Sequence, residues 1–162
     1  MVKIGIDIGG VIIDRTKNND NLFFSDRFLE ATPVPDAIHA ITVLNFLYEN
    51  QIYLVSKASI NGMERSKRWL QHYRFYDQTG IDPTHVFFCL ERKDKASIAE
   101  KLKLTHFIDD RLEVLSYLTT VPNRYLFNYD HHSDKEIEKF SMYLNNIIEV
   151  VNWTDAVTEI IR

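Results

Sequence analysis

The chain alternates short runs of apolar, often β-branched residues with longer stretches in which apolar residues recur every three or four positions. The short runs are typical of buried strands, and the longer stretches are typical of amphipathic helices. Strands are predicted at residues 2–8, 52–55, 86–89, 105–108, 124–128 and 148–153. Helices are predicted at residues 37–50, 63–76, 94–104, 112–118, 134–146 and 155–161. This alternation indicates βαβ units, and therefore an α/β fold with a mainly parallel sheet of five to six strands.

The segment between the first strand and the first long helix has a different character. Residues 18–21 form a dense cluster of Asn and Asp, which is typical of a turn. The stretches on either side, residues 11–14 and 22–25, are predicted to pair as a small hairpin, and Asp36 is a candidate N-cap for the helix that follows. The segment is too short for an inserted domain of the usual size. We therefore expect a single domain over residues 1–162 without a large cap domain.

Composition narrows the class of protein. The formal charge is −4 and 45% of the residues are hydrophobic, which is ordinary for a globular chain. This balance excludes a disordered tail or a fibre and argues against a non-specific nucleic-acid binder, which would need a basic face. It does not exclude a phosphate-binding pocket, because such a pocket needs only a few local cations.

Three features bear on location. Cys89 is the single cysteine, so the chain cannot form an intramolecular disulfide. No apolar run approaches the roughly 20 residues that span a bilayer. The apolar stretch at residues 1–10 contains Asp7, which a signal peptide would not carry in its hydrophobic region. We therefore expect a cytoplasmic protein without a membrane partner.

Polar residues follow four of the predicted strands. Ligands bind at the carboxyl ends of the strands in open parallel sheets, so these residues are expected to converge at one edge. They are, strand by strand, Asp7, Gly9 and Gly10; Ser56 and Lys57; Arg92, Lys93, Asp94 and Lys95; and Asp109, Asp110 and Arg111. Arg15 and Lys57 are further candidates for substrate contact near this edge.

These residue types indicate a magnesium and phosphate site. Mg²⁺ prefers carboxylate and carbonyl oxygens and shares the oxygens of a bound phosphate. Asp7 with the adjacent pair Asp109 and Asp110 supplies carboxylates whose mutual repulsion a cation would relieve. A lysine and a hydroxyl group would hold the remaining phosphoryl oxygens, and a carboxylate is able to form an acyl phosphate.

The order of these motifs resembles that of the haloacid dehalogenase-like hydrolase superfamily over essentially the whole chain. Asp7-Ile8-Gly9-Gly10-Val11 resembles the family's first motif, and Leu54-Val55-Ser56 resembles its second. Lys95, with Lys93 as the alternative, fits the third motif, and Phe107-Ile108-Asp109-Asp110 fits the acidic fourth motif. Each motif is short, but four in the right order after successive strands form a more specific signal.

The resemblance implies a three-layer αβα Rossmann-like fold with a flap region at about residues 11–35. It implies a Mg²⁺-dependent phosphatase in which Asp7 is the nucleophile and Lys95 orients it. The implied phosphate-binding residues are Gly9, Gly10, Ser56, Lys57 and Lys95. The implied metal ligands are Asp7, the carbonyl of Gly9, Asp109 and Asp110.

One position departs from the family pattern. Family phosphatases carry a second Asp, the general acid and base, where this chain has Gly9. General acid–base catalysis typically contributes about 10²–10⁴-fold, so its loss should be felt. Three outcomes stay open: another group such as Asp14 or a water transfers the proton, the enzyme is slow or uses good leaving groups, or the protein is catalytically inactive.

The expected partner is a phosphorylated small molecule or a phosphorylated macromolecular end, since family members without a cap leave the site open. Nucleic acid is neither indicated nor excluded, and an oligomer is compatible with the sequence. A binding or regulatory protein that keeps the metal site is the main alternative to an enzyme. A phospho-receiver domain is disfavoured, because receivers carry the acidic pair after the first strand rather than the fourth.

Overall fold

The computed structural model describes residues 1–127 and 138–162. Six strands form one sheet in the order β3-β2-β1-β4-β5-β6, and every neighbouring pair is parallel. The strands are β1 (Ile4–Ile6), β2 (Ile52–Lys57), β3 (Val86–Cys89), β4 (His106–Asp109), β5 (Asn123–Phe127) and β6 (Ile147–Val150). The prediction of a parallel α/β sheet is therefore confirmed.

Helices cover both faces of the sheet because neighbouring strand residues point to opposite sides. Ile52 and Leu54 face one core, whereas Tyr53 and Val55 face the other. The first core is completed by apolar side chains of α2 (Ala37–Leu47), α3 (Ile60–His72), α4 (Phe75–Thr79) and α7 (Trp153–Ile161). The second is completed by α5 (Lys95–Leu102) and α6 (Leu112–Tyr117). This is the three-layer αβα arrangement that the motifs imply.

The predicted hairpin in the flap region is wrong. Residues 17–23 form a helix, α1 (Lys17–Phe23), and Ile13 makes isolated bridges to Gly9 and Pro33 instead. The buried side chain of Asn19 explains the difference: its amide donates to the carbonyls of Asp14 and Thr32. Its Oδ1 also accepts from the backbone N–H of Thr32 at 2.8 Å. The polar cluster therefore fastens a helix onto the next segment rather than forming a hairpin turn.

Smaller differences concern the ends of elements. Asp36 precedes α2 as predicted, but its φ is 65° and its side chain makes no capping bond. Residues 134–137 of the predicted helix at 134–146 lie outside the described residues, and Ser141–Asn146 is a 3₁₀-helix. The closing helix begins at Trp153, where Asn152 caps it by accepting from the N–H of Asp155. Within the described ranges, no helix is long and apolar enough to cross a membrane.

Trp153 ties the closing helix to the loop that follows β1. Its side chain is fully buried, lies 5.5 Å from the ring of Phe127, and donates from Nε1 to the carbonyl of Val11 at 2.8 Å. We expect Trp153→Phe to lower the free energy of unfolding by about 1–3 kcal/mol, because the Val11 carbonyl loses its buried donor. Urea unfolding measures this change. Thr158→Val, which removes an exposed hydroxyl from the same helix, should change it by less than about 0.5 kcal/mol.

Candidate active site

The carboxyl ends of β1, β2 and β4 meet at a cavity of about 250 Å³. Asp7 follows β1 directly, and its backbone N–H continues the sheet by donating to the carbonyl of Ile108 at 3.0 Å. Asp109 ends β4, and Ser56 and Lys57 end β2. Parallel pairing of the three strands therefore brings residues from distant parts of the chain to one opening.

Lys95 lies at the floor of this cavity. Its Nζ donates to Oδ1 of Asp7 at 2.9 Å and to Oδ2 of Asp109 at 2.7 Å. The residue is only 2% exposed. Lysine is almost never fully buried without a partner, and here the two carboxylates are its partners. It is the first residue of α5, so the docking of α5 on the sheet places the ammonium group between two carboxylates.

Asp7, Asp109 and Asp110 form a buried acidic trio. One carboxylate oxygen from each lies within 4.8 Å of the others. Asp109 also accepts from the backbone N–H of Arg111 at 2.9 Å, which orients its carboxylate. Three clustered carboxylates with one lysine leave an excess of negative charge, and their hard oxygens are the ligands Mg²⁺ prefers. The residues present therefore fit a magnesium ion.

Burial and mutual repulsion shift the acid–base properties of the cluster. Burial, followed by the neighbouring Asp109 carboxylate, raises the pKa of Asp7 well above its ordinary value, while Lys95 opposes the shift. Burial likewise raises the pKa of Asp109 to about 6. Burial alone would lower the pKa of Lys95, but the carboxylates of Asp109 and Asp7 raise it above its ordinary value. The Lys95 ammonium group thus stays charged between the two carboxylates that accept its hydrogen bonds.

The loop after β1 depends on glycine at residue 10. The N–H groups of Ile12 and Ile13 both donate to the carbonyl of Ile8, so the chain turns tightly there. Gly10 has φ +80°, and a Cβ at this position would lie 2.1 Å from Oδ2 of Asp110. Glycine is therefore required both for the backbone conformation and for the close approach of the Asp110 carboxylate.

Most of the residues predicted for the site line the cavity. Its lining includes Asp7, Gly9, Ser56, Lys57, Lys95, Asp109 and Asp110. Gly10, predicted to bind phosphate, is not among the described residues that line the cavity, and its backbone N–H donates to the carbonyl of Ile13 at 2.8 Å. Lys93, the alternative third-motif lysine, is exposed and is not among the described residues that line the cavity. The geometry therefore favours Lys95 over Lys93.

Arg92 and Arg111, which the sequence places after the third and fourth strands, also line the cavity, and Arg92 pairs with Glu113 at 2.9 Å. Other lining residues were not predicted from the sequence. Asp20 and Phe23 lie in α1, and Phe24 is the residue that follows it. These residues were missed because a hairpin was expected there. The cavity is thus lined both by cationic side chains and by the aromatic rings of Phe23 and Phe24.

Comparisons with known proteins agree with this fold. No family model matches the chain. "Putative nucleotidase OB0422" of Oceanobacillus iheyensis is 23% identical over 128 residues, which cover 79% of this chain. The chain matches 61% of the length of that relative. A solved structure titled a "putative haloacid dehalogenase-like hydrolase" from Burkholderia xenovorans LB400 matches 98% of this chain and 96% of its own. Its TM-score is 0.62 at 12% identity.

These likenesses define the class of fold. The chain has the haloacid dehalogenase-like fold, a three-layer α/β structure with a six-stranded parallel sheet. The resemblance inferred from the four motifs is therefore confirmed for the fold. The chemistry follows from the site rather than from the fold, because one fold supports many activities.

Proposed function

We propose that this chain is a haloacid dehalogenase-like hydrolase that cleaves phosphomonoesters with Mg²⁺, through an aspartyl-phosphate on Asp7. The observation that carries the proposal is the contact of Lys95 with both Asp7 and Asp109 in a buried acidic trio. A cluster of buried carboxylates costs folding free energy. Such clusters are therefore typical of sites where a function requires them. The hydrolase and nucleotidase names of the two similar proteins support the same class of reaction.

Each residue of the site has a proposed role. Lys95 holds Asp7 in position for attack and binds the phosphoryl group. Ser56, Lys57 and Gly9 contribute donors for the phosphoryl oxygens, whereas Gly10 shapes the loop, because its own N–H donates to the carbonyl of Ile13 at 2.8 Å. The proposed metal ligands are Asp7, the carbonyl of Gly9, Asp109 and Asp110. When bound, Mg²⁺ neutralises phosphate charge and orients the phosphoryl group toward the nucleophile.

The proposed substrate is a phosphorylated small molecule. The cavity has room for a phosphoryl group and part of its leaving group, and five of the residues lining it are cations: Arg15, Lys57, Arg92, Lys95 and Arg111. A phosphorylated macromolecular end is the alternative substrate, because the cavity opens to solvent near exposed Lys57 and Phe24. We place the reaction in the cytoplasm, as the single cysteine suggests.

Removal of magnesium tests the proposal. Hydrolysis of 4-nitrophenyl phosphate should fall by at least about 10²-fold in excess EDTA and return when Mg²⁺ is added, because the acidic trio would otherwise repel phosphate. Asp110→Asn should raise the Mg²⁺ concentration needed for half-maximal rate. Asp82→Asn, at an exposed carboxylate that caps a 3₁₀-helix, should leave that concentration unchanged. Hydrolysis that persists in EDTA contradicts the proposal.

A second candidate is a binding or regulatory protein that keeps the metal site. Gly9 favours this candidate because it removes the family's general acid and base. Isothermal titration with Mg²⁺ separates the two candidates when it is paired with the hydrolysis assay. Binding of Mg²⁺ without any Asp7-dependent turnover would establish the second candidate.

A further inference from the structure

The space that a side chain at residue 9 would occupy is bordered by Arg15. A Cβ at Gly9 would lie 3.4 Å from Cδ and 4.0 Å from Nη1 of Arg15, and, apart from residues 8–10, no other heavy atom of the described residues comes within 4 Å of it. Both residues line the cavity. A cationic side chain therefore borders the space into which a side chain at residue 9 would extend.

Arg15 is held in this position by Asp20 from α1. Its Nε donates to Oδ1 of Asp20 at 2.9 Å. Within the described parts of the chain, that carboxylate is its single ion-pair partner, and the bond uses Nε rather than the terminal nitrogens. The Arg15 side chain is 31% exposed, whereas that of Lys95 is 3% exposed. Arg15 thus lies nearer the mouth of the cavity than the proposed nucleophile and its lysine.

The described residues that line the cavity offer no imidazole, thiol, phenol or glutamic acid to protonate a leaving group. The carboxyl groups of the lining, in the part of the chain that the structure describes, are those of Asp7, Asp109 and Asp110, which form the trio, and that of Asp20, which is paired with Arg15. An arginine stays protonated at working pH, so it pairs with an oxyanion but does not transfer a proton to it.

We propose that Arg15 binds the departing oxygen, and that the site selects phosphoryl donors whose leaving group departs as a stable anion. Aryl phosphates, acyl phosphates and phosphoanhydrides belong to this class, whereas simple alkyl phosphates do not. The inference rests on the proposed function and adds its substrate class. In-line displacement directs the leaving oxygen away from Asp7, toward the mouth of the cavity where Arg15 lies.

The reaction balances without a side-chain acid. An oxygen of Asp7 bonds to phosphorus as the bond from phosphorus to the leaving oxygen breaks, and that oxygen departs with the electron pair beside Arg15. Water then attacks phosphorus and the bond from phosphorus to Asp7 breaks. The electron pair returns to the Asp7 carboxylate. One proton of the water stays on the new hydroxyl group of the phosphate, and the other passes to a second phosphate oxygen or to bulk water.

A leaving-group series tests this inference. Wild-type protein with Mg²⁺ should hydrolyse 4-nitrophenyl phosphate and acetyl phosphate with kcat/KM values at least about 10³-fold above that for glycerol 2-phosphate. Arg15→Gln should lower kcat/KM for the first two by about 10²-fold, because the departing charge loses its cation. Arg15→Lys should restore part of the loss. Arg27→Gln, at an exposed arginine paired with Glu30, is the matched control and should change neither value.

Gly9→Asp provides an independent variant. Its Cβ would make only ordinary contact with Arg15, so the variant is expected to fold, which a thermal melt checks. The added carboxyl group should narrow the gap between the aryl and alkyl substrates by about 10-fold or more. Asp7-dependent turnover with a flat leaving-group series, or with Arg15→Gln equal to wild type, would overturn the inference and leave the proposed function standing. Absence of Asp7-dependent turnover on every substrate would overturn both.

Discussion

Asp7→Asn should abolish hydrolysis of 4-nitrophenyl phosphate and, in the absence of metal, make the protein more stable. The rate should fall by at least about 10³-fold, as expected when a covalent nucleophile is removed. Asn keeps the shape and an oxygen that accepts from Lys95, but an amide oxygen does not form the aspartyl-phosphate. The assay with Mg²⁺ measures the loss directly.

The gain in stability follows from the charge of the buried trio. Asp7 lies with Asp109 and Asp110, and Lys95 is the cation that contacts two of the three carboxylates. Removing one negative charge lessens their repulsion. We expect Asp7→Asn to raise the free energy of unfolding by about 0.5–2 kcal/mol. Gains of this size are common when a residue that is retained for activity rather than stability is replaced. For a chain of this length this corresponds to about 1–8 °C in Tm.

The gain should grow with pH. Burial, followed by the Asp109 carboxylate, raises the pKa of Asp7 above 3.8, so the folded protein keeps this proton after the unfolded chain has lost it. Stability of the wild type therefore falls as pH rises through that window, and the Asn variant lacks this loss. Melts in EDTA at a series of pH values from 4 upward measure the difference.

The same substitution at Asp82 is the control for this prediction. Asp82 is fully exposed, and hydrogen bonds from Thr84 lower its pKa, so Asp82→Asn should not stabilise the protein. A general folding defect would lower both activity and Tm. If the Asp7→Asn variant still hydrolysed the substrate, or had a lower Tm than the wild type in EDTA, the assigned role of this carboxylate would be wrong.

Gly10→Ala should distort the loop after β1 and lower the free energy of unfolding of the protein by about 3 kcal/mol. The left-handed backbone at φ +80° costs a residue with a Cβ about 1–2 kcal/mol, and the contact of 2.1 Å with Oδ2 of Asp110 adds strain. Tm should fall by about 6–12 °C. Because the Asp110 carboxylate must move, the affinity for Mg²⁺ should also fall, which isothermal titration measures.

Gly9→Ala is the matched control for Gly10→Ala. The added methyl group at residue 9 meets only Arg15, at an ordinary contact distance, and Gly9 does not have a positive φ. Its Tm should change by less than half as much as that of Gly10→Ala. Equal Tm values for the two variants would show that the Asp110 contact does not require a glycine at residue 10.

The strand ends of the site were predictable because each is a local pattern. Asp7 and the pair of Asp109 and Asp110 each follow an apolar run, and parallel pairing brings such ends together. The prediction of a hairpin between residues 11–14 and 22–25 was wrong, because the structure has helix α1 there. Clusters of Asn and Asp are typical of turns, but here the buried Asn19 bonds to Thr32, a residue beyond the reach of local pattern.

The sequence by itself determined the α/β class, the parallel sheet and the residues that end its strands, since periodicity and β-branched runs act locally. Only the tertiary structure decided which lysine lies against Asp7, because the docking of α5 buries Lys95 and leaves Lys93 exposed. It likewise decided that Arg15 stands beside Gly9, since α1 supplies the Asp20 carboxylate that holds it. Both arrangements depend on charges brought together from separate elements, and such contacts leave no periodic signal in the sequence.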